Sequence, residues 1–279
     1  MEYWFAIIFT VIAVIAIAIL IFYEVMGEDA VLLKKKHRRG KYINDQTAVI
    51  YQSIKDTIDT KSAYTLFIEY LFTNYKQFLD YVKSTLEEIS NSYNSDNVSG
   101  LKTAVEDIKD MKIELKDQRV AQADCLKTID KTYCIEFVAW FHLANNCRFS
   151  INDSLHRLAD VCIDYAKNFY EPFPEIYTEQ LNTLVIDICH LCDELTSLIG
   201  TNNIEAMREL RKTMSIILDE SYSNSQRLYE LIHDGRSQIE EDKLIALKYS
   251  LNAFQELHNI IYTLRRFTLA TLCLSLSLK

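Results

Sequence analysis

Only two prolines and five glycines punctuate 279 residues. Sheets are built from tight turns, and tight turns draw on glycine and proline. So small a supply argues against a β-sandwich, a TIM barrel and a Rossmann domain, and leaves a chain of long helices. Hydrophobic residues make up 49% and charged residues 25%. The two are interleaved along most of the chain, which excludes wholesale disorder. The length suffices for one or two domains with a real core.

The longest uncharged stretch runs from Tyr3 to Tyr23, with Ile7 to Ile21 almost wholly aliphatic and Tyr3, Trp4, Phe22 and Tyr23 at its ends. Twenty-one helical residues reach about 31 Å, the thickness of a bilayer core, and aromatic residues suit its two interfaces. A cleaved signal peptide needs a cationic start, a shorter core and a small-residue cleavage site. Here the chain begins Met1-Glu2 and no such site follows. The expectation is one transmembrane helix over 1–27 and a basic juxtamembrane linker over 28–41, which holds Lys34, Lys35, Lys36, Arg38, Arg39 and Lys41. Cations on one side only place Met1 outside and the body in the cytoplasm of a bacterial inner membrane. The very short outer segment suits a minimal anchor, and equally the last helix of a larger membrane protein.

The formal charge is −9, and residues 42–279 alone carry −11. A body so acidic repels nucleic acid. Within it the breaks are few: the polar loop Asn91 to Gly100, the helix breaker Glu171 to Pro174, the run Gly200 to Asn203 that ends one helix and caps the next, and Asp234-Gly235, which does the same. Between the breaks apolar residues recur at steps of three and four, as in Leu181, Leu184, Val185, Ile188, Leu191, Leu195 and Leu198, and in Ile204, Met207, Leu210, Met214, Ile217, Leu218, Leu228, Leu231 and Ile232. This predicts helices at 43–58, 60–92, 101–131, 133–170, 175–199, 203–233 and 237–270. Short connections make them an up-and-down bundle over 42–270, with 271–279 as a tail.

Candidate chemistry is thin. No phosphate-cradling glycine loop, nucleophile elbow or metalloprotease motif is present. Cys189 and Cys192 lie near an apolar stripe without a second matched pair, which reads as buried thiols before it reads as zinc. The aromatic segment Cys134 to Asn146 reads as a helix–helix seam, with a docking surface as the alternative. His156, Asp160 and Asp164 recur every four residues and share one helix face. That donor set could hold a divalent or transition metal, though a solvated polar face explains the same spacing.

The stretch from Trp140 through Phe267 resembles the PhoU-like cytoplasmic domain of Bacteroides-type inorganic phosphate transporters. The likeness is carried by Asn152-Asp153-Ser154-Leu155-His156-Arg157-Leu158-Ala159-Asp160, by Lys167 to Phe173, by Ile217-Leu218-Asp219 and by Leu251 to Phe267. The resemblance implies two three-helix bundles and metals held by acid-x-x-x-Asp motifs. His156 to Asp160 stands where the family has Glu-Arg-Ile-Gly-Asp, so Asp160 carries over as a ligand and His156 replaces the first acid. The second motif should fall at Asn252-Ala253-Phe254-Gln255-Glu256, which lacks the paired acids. The implied function is regulation of phosphate transport by a non-enzymatic, membrane-anchored module. Its partners are membrane lipid and a phosphate permease or further helices of the same transporter, and a homo-oligomer is compatible. The family's permease is polytopic, and one span forms no conduction path. A membrane-tethered helical scaffold or signalling protein unrelated to phosphate is the alternative.

Overall fold

The computed structural model describes residues 53–54, 60–129, 138–168, 173–201, 203–234 and 241–276. Every regular element among them is a helix: α1 Thr60–Asn94, α2 Val98–Thr128, α3 Val138–Lys167, α4 Glu175–Leu198, α5 Ile204–Asp234 and α6 Glu241–Leu276. All belong to one unit spanning Asp45–Lys279. No helix among the described residues is long and apolar enough to cross a membrane. The expected span at 1–27 and basic linker at 28–41 lie outside the described residues, as does the junction Phe169 to Pro172. Of the helix expected over 43–58, only Ser53 and Ile54 are described, and both are helical.

α1 is helical because 35 residues pass without glycine or proline, and Phe67, Leu71, Tyr75, Phe78, Val82, Leu86 and Ile89 bury one stripe. Fully burying one such side chain contributes about 1.5–3 kcal/mol. The Asn91–Gly100 segment, expected as a loop, is mostly helix. The turn between α1 and α2 is only 95–97, where Asp96 takes the left-handed conformation at φ 52°. Asn97 caps α2 by accepting a hydrogen bond from the Gly100 amide at 3.0 Å. Gly100 packs so close to Ser92 that a Cβ there would lie 2.3 Å from the Ser92 hydroxyl. At the next clear break, α4 closes on Gly200 at φ 82°, and Asn203 caps α5 through the Ala206 amide at 3.1 Å. The last helix continues past the expected boundary at 270: residues 271–276 remain in α6, with Thr271, Leu272, Leu274 and Ser275 buried.

Side-chain pairs give the direction of each helix. α1 and α3 run parallel, as Phe67 meets Phe141, Tyr81 bonds Asn152 and Tyr93 meets Tyr165. α2 runs against α3, since Gln118 lies at Arg148 and Lys112 at Asp153. These three helices form one half of the molecule, each touching the other two. α4, α5 and α6 form the second half in the same manner. There α5 runs against α6, with Met214 at Thr268 and Ser221 at His258.

The halves meet through corresponding helices. α1 packs on α4 and α3 on α6, the latter being the most extensive packing in the fold. Both pairs are antiparallel. Phe72 lies at Gly200, Lys83 at Asp193 and Ser90 at Asn182, while Arg157 lies at Glu256 and Tyr165 at Tyr249. The first helix of each half thus meets the first of the other, and the third meets the third. The core lies on that junction, where Tyr75 stacks edge-on against Phe267 at 5.2 Å, and Tyr93, Tyr165, Phe173 and Tyr249 form an aromatic cluster.

Candidate functional site

The middle of α3 faces the middle of α6, so the two sequence stretches singled out as motif equivalents come together. Arg157 grips Glu256 through both carboxylate oxygens, from Nε at 2.7 Å and from Nη2 at 2.9 Å. Planar bidentate geometry of this kind is the strong form of an ion pair. The Glu256 side chain is only 14% exposed, and Asn259 donates to its second oxygen at 3.4 Å. Nη2 of Arg157 also donates to Ser154 at 2.9 Å. The carboxylate holds the Arg157 guanidinium above its ordinary range.

His156 and Asp160 meet at 2.8 Å between Nδ1 and Oδ2, one helical turn apart. Asp164, a further turn along, is exposed. No group of three or more His, Cys, Asp or Glu among the described residues is arranged to hold a metal ion. The geometry gives a reason: Glu256 is held by Arg157 and His156 faces Asp160, so two of the three candidate ligands come together without a third among the described residues. Cys189 and Cys192 are buried free thiols. Burial pushes Cys189 up to about 11 and Cys192 higher still, so neither is a ready thiolate ligand or nucleophile.

A second polar arrangement lies inside the first half. Arg148 is 1% exposed. Its Nη1 donates to Asn145 at 3.3 Å, its Nη2 donates to Gln118, and its Nε has no partner. The guanidinium carbon sits 5.2 Å from the Phe78 ring centroid and 5.5 Å from that of Tyr75. Aromatic faces attract such a cation. Gln118 in turn donates to Glu114 at 2.9 Å. Burial lowers Arg148 to about 10 and raises the Glu114 carboxyl. At neutral pH Arg148 therefore carries a buried charge whose compensation comes from rings, amides and a carboxylate one residue removed.

The sequence reading overlooked Arg148. The available signal was its place on the stripe Phe141, Ala144, Arg148, Ile151 and Leu155, where every other member is apolar. Of the aromatic segment, Phe141 is buried at the α1 seam, Asn145 is buried and donates to the Phe141 carbonyl at 3.2 Å, and Asn146 faces solvent. Residues 134–137 lie outside the described residues.

The second half carries a shallow groove of about 300 Å³ between α5 and α6, lined by Tyr222, Tyr229, Gln226, Gln255 and His258 among others. Ser221 and the His258 Nδ1 are 2.9 Å apart, and burial holds the His258 imidazole below its ordinary range. Searches against family models, curated proteins and solved structures returned no match to this chain.

Proposed function

We propose that the chain is a membrane-anchored, PhoU-like regulatory module of inorganic phosphate transport, working by contact with a permease or with further helices of the same transporter. The observation that carries this reading is the division of the body into two three-helix halves, the bundle count that the resemblance implies. The apolar run Tyr3 to Tyr23 and the cations after it support an anchor with the body on the cytoplasmic side. The ion pair between Arg157 and Glu256 supports a role in contact and coupling over one in metal chemistry, because it occupies the carboxylate that the second motif offers.

The test is phosphate uptake in cells carrying the chain cut after Lys41, with membrane insertion verified separately. Uptake or its repression should change while the truncated anchor still inserts. Unchanged uptake and repression would favour the helical scaffold unrelated to phosphate.

A further inference from the structure

The charges of the bundle are sorted along its axis. The helix register divides the molecule at the level of Phe78, Ser150 and Leu264, because Tyr75 meets Phe267 and Arg148, and Met214 meets Thr268. The half-length that contains Thr60, the first residue of α1, comprises 60–78, 115–128, 138–150, 204–217 and 264–276. It holds eleven Lys/Arg against five Asp/Glu. The opposite half-length comprises 79–94, 98–114, 151–167, 175–195, 218–234 and 241–263, and holds nine Lys/Arg against twenty-two Asp/Glu. One end is thus +6 and the other −13, a polarity that the overall −9 conceals.

The cationic end keeps its excess after the internal pairs are removed. Arg208 lies 3.7 Å from Glu205 and Lys212 lies 2.6 Å from Glu209, and Arg148 is buried. Lys61, Lys116, Arg119 and Arg266 remain exposed, with Arg266 resting on the Tyr262 ring at 5.8 Å. Arg211 and Arg265, at the α5–α6 seam of the same end, each keep a buried Nε without a hydrogen-bond partner. At the far end α4 is the extreme case: from Glu175 to Leu195 it has five acids and no Lys or Arg.

A helix of 30 residues spans about 45 Å, several times the screening length of about 8 Å in physiological salt. The two ends therefore respond to a charged surface independently. An anionic leaflet attracts the first and repels the second. The cationic end is also the one that leads, through α1, back to the basic run Lys34 to Arg39 and the apolar run Tyr3 to Tyr23. We propose that this end of the bundle docks on an anionic lipid surface, so that the body stands end-on and the 95–97 turn and the acidic ends of α4 and α5 point away from the membrane. This orientation rests on the anchored reading above, but the lipid-binding surface itself does not.

The experiment uses the full chain with a donor dye at Thr201→Cys, on the cationic end, or at Ser95→Cys, on the acidic end; both positions are exposed. It is reconstituted with headgroup-labelled acceptor lipid into phosphatidylcholine vesicles or phosphatidylglycerol-rich vesicles. Transfer from Thr201→Cys should rise, and that from Ser95→Cys should fall severalfold, on passing to the anionic lipid. High salt should abolish the difference, as should the combined variant Lys116→Glu, Arg119→Glu, Arg208→Glu and Lys212→Glu, with helicity checked by circular dichroism. Equal transfer from each dye in both lipids overturns the proposal and leaves the anchor standing. Failure of the chain to float with phosphatidylcholine vesicles after an alkaline wash removes the anchor. The docking surface then stands if the chain co-sediments with phosphatidylglycerol vesicles and the four-charge variant does not, and falls if neither binds.

Discussion

Arg157 and Glu256 stand 99 residues apart in sequence and share a bidentate ion pair across the junction of the two halves. Arg157 is half-exposed while Glu256 is largely covered, so the two partners are not equivalent. Removing the arginine strands a covered carboxylate, whereas removing the carboxylate frees an arginine that water can reach. Arg157→Ala should therefore cost about 1–2 kcal/mol and Glu256→Gln about 1 kcal/mol. Urea unfolding of the single and double variants measures this, and a double-mutant cycle without coupling would refute the pairing.

Arg148 should behave as a buried charge supported from several sides. Arg148→Ala removes a large side chain and leaves Gln118 and Asn145 without their donor, at a cost of about 3 kcal/mol or more. Arg148→Met combined with Gln118→Leu keeps the volume and removes the orphaned amide, and should recover most of that loss. Thermal unfolding midpoints of the two variants give the comparison. If the methionine variant is as unstable as the alanine one, the charge itself supports the first half.

Much of this fold was legible in the sequence, and the exceptions share a cause. The Gly200 break and the Asn203 cap were read correctly because each is a local event confined to one turn. The stripe of α4 was read from its spacing, and Ile188, Leu191 and Leu195 are buried as expected. α6 runs to Leu276, past the boundary expected at 270, and Thr268, Thr271 and Ser275 are the polar members of its last turns. All three are buried, and each hydroxyl donates to a carbonyl of the preceding turn, at 2.8, 3.0 and 3.0 Å. Such back-bonding satisfies a buried hydroxyl within its own helix. Leu231 shows the reverse error, lying on the expected stripe of α5 yet 47% exposed. At the site, the proximity of His156 and Asp160 followed from their spacing, whereas the attachment of Glu256 to Arg157 has no local signal at all.

Gly200 tests the turn chemistry directly. Its φ of 82° lies in the left-handed region, and a Cβ there would meet the Phe72 ring at 3.3 Å. Gly200→Ala should cost about 1 kcal/mol from the backbone alone, with any adjustment of Phe72 in addition. Denaturant midpoints measure it, and an unchanged midpoint would contradict the closure of α4 on α1.

His258 sets a pH dependence. Its imidazole is held below the ordinary value by burial, so the unfolded chain binds the proton first as pH falls. Stability contributed by the neutral ring is present above about pH 6.5 and is lost as pH falls from there toward the folded value. The unfolding midpoint should drop across that window, and His258→Gln should flatten the drop. An identical acid slope in the variant would assign it to other groups.

Elemental analysis addresses His156 and Asp160. With two facing ligands and no third among the described residues, the purified chain should hold less than one equivalent of zinc after dialysis. A stoichiometric metal that disappears in His156→Ala would require a ligand from outside the described residues.

The way the halves meet has a consequence for how the body comes apart. The largest packing in the fold lies between the halves and not within either one. Their junction joins unlike partners, Lys83 with Asp193 and Arg157 with Glu256, so each half completes the other. The six helices are therefore one cooperative unit, and loosening the junction loosens both halves together.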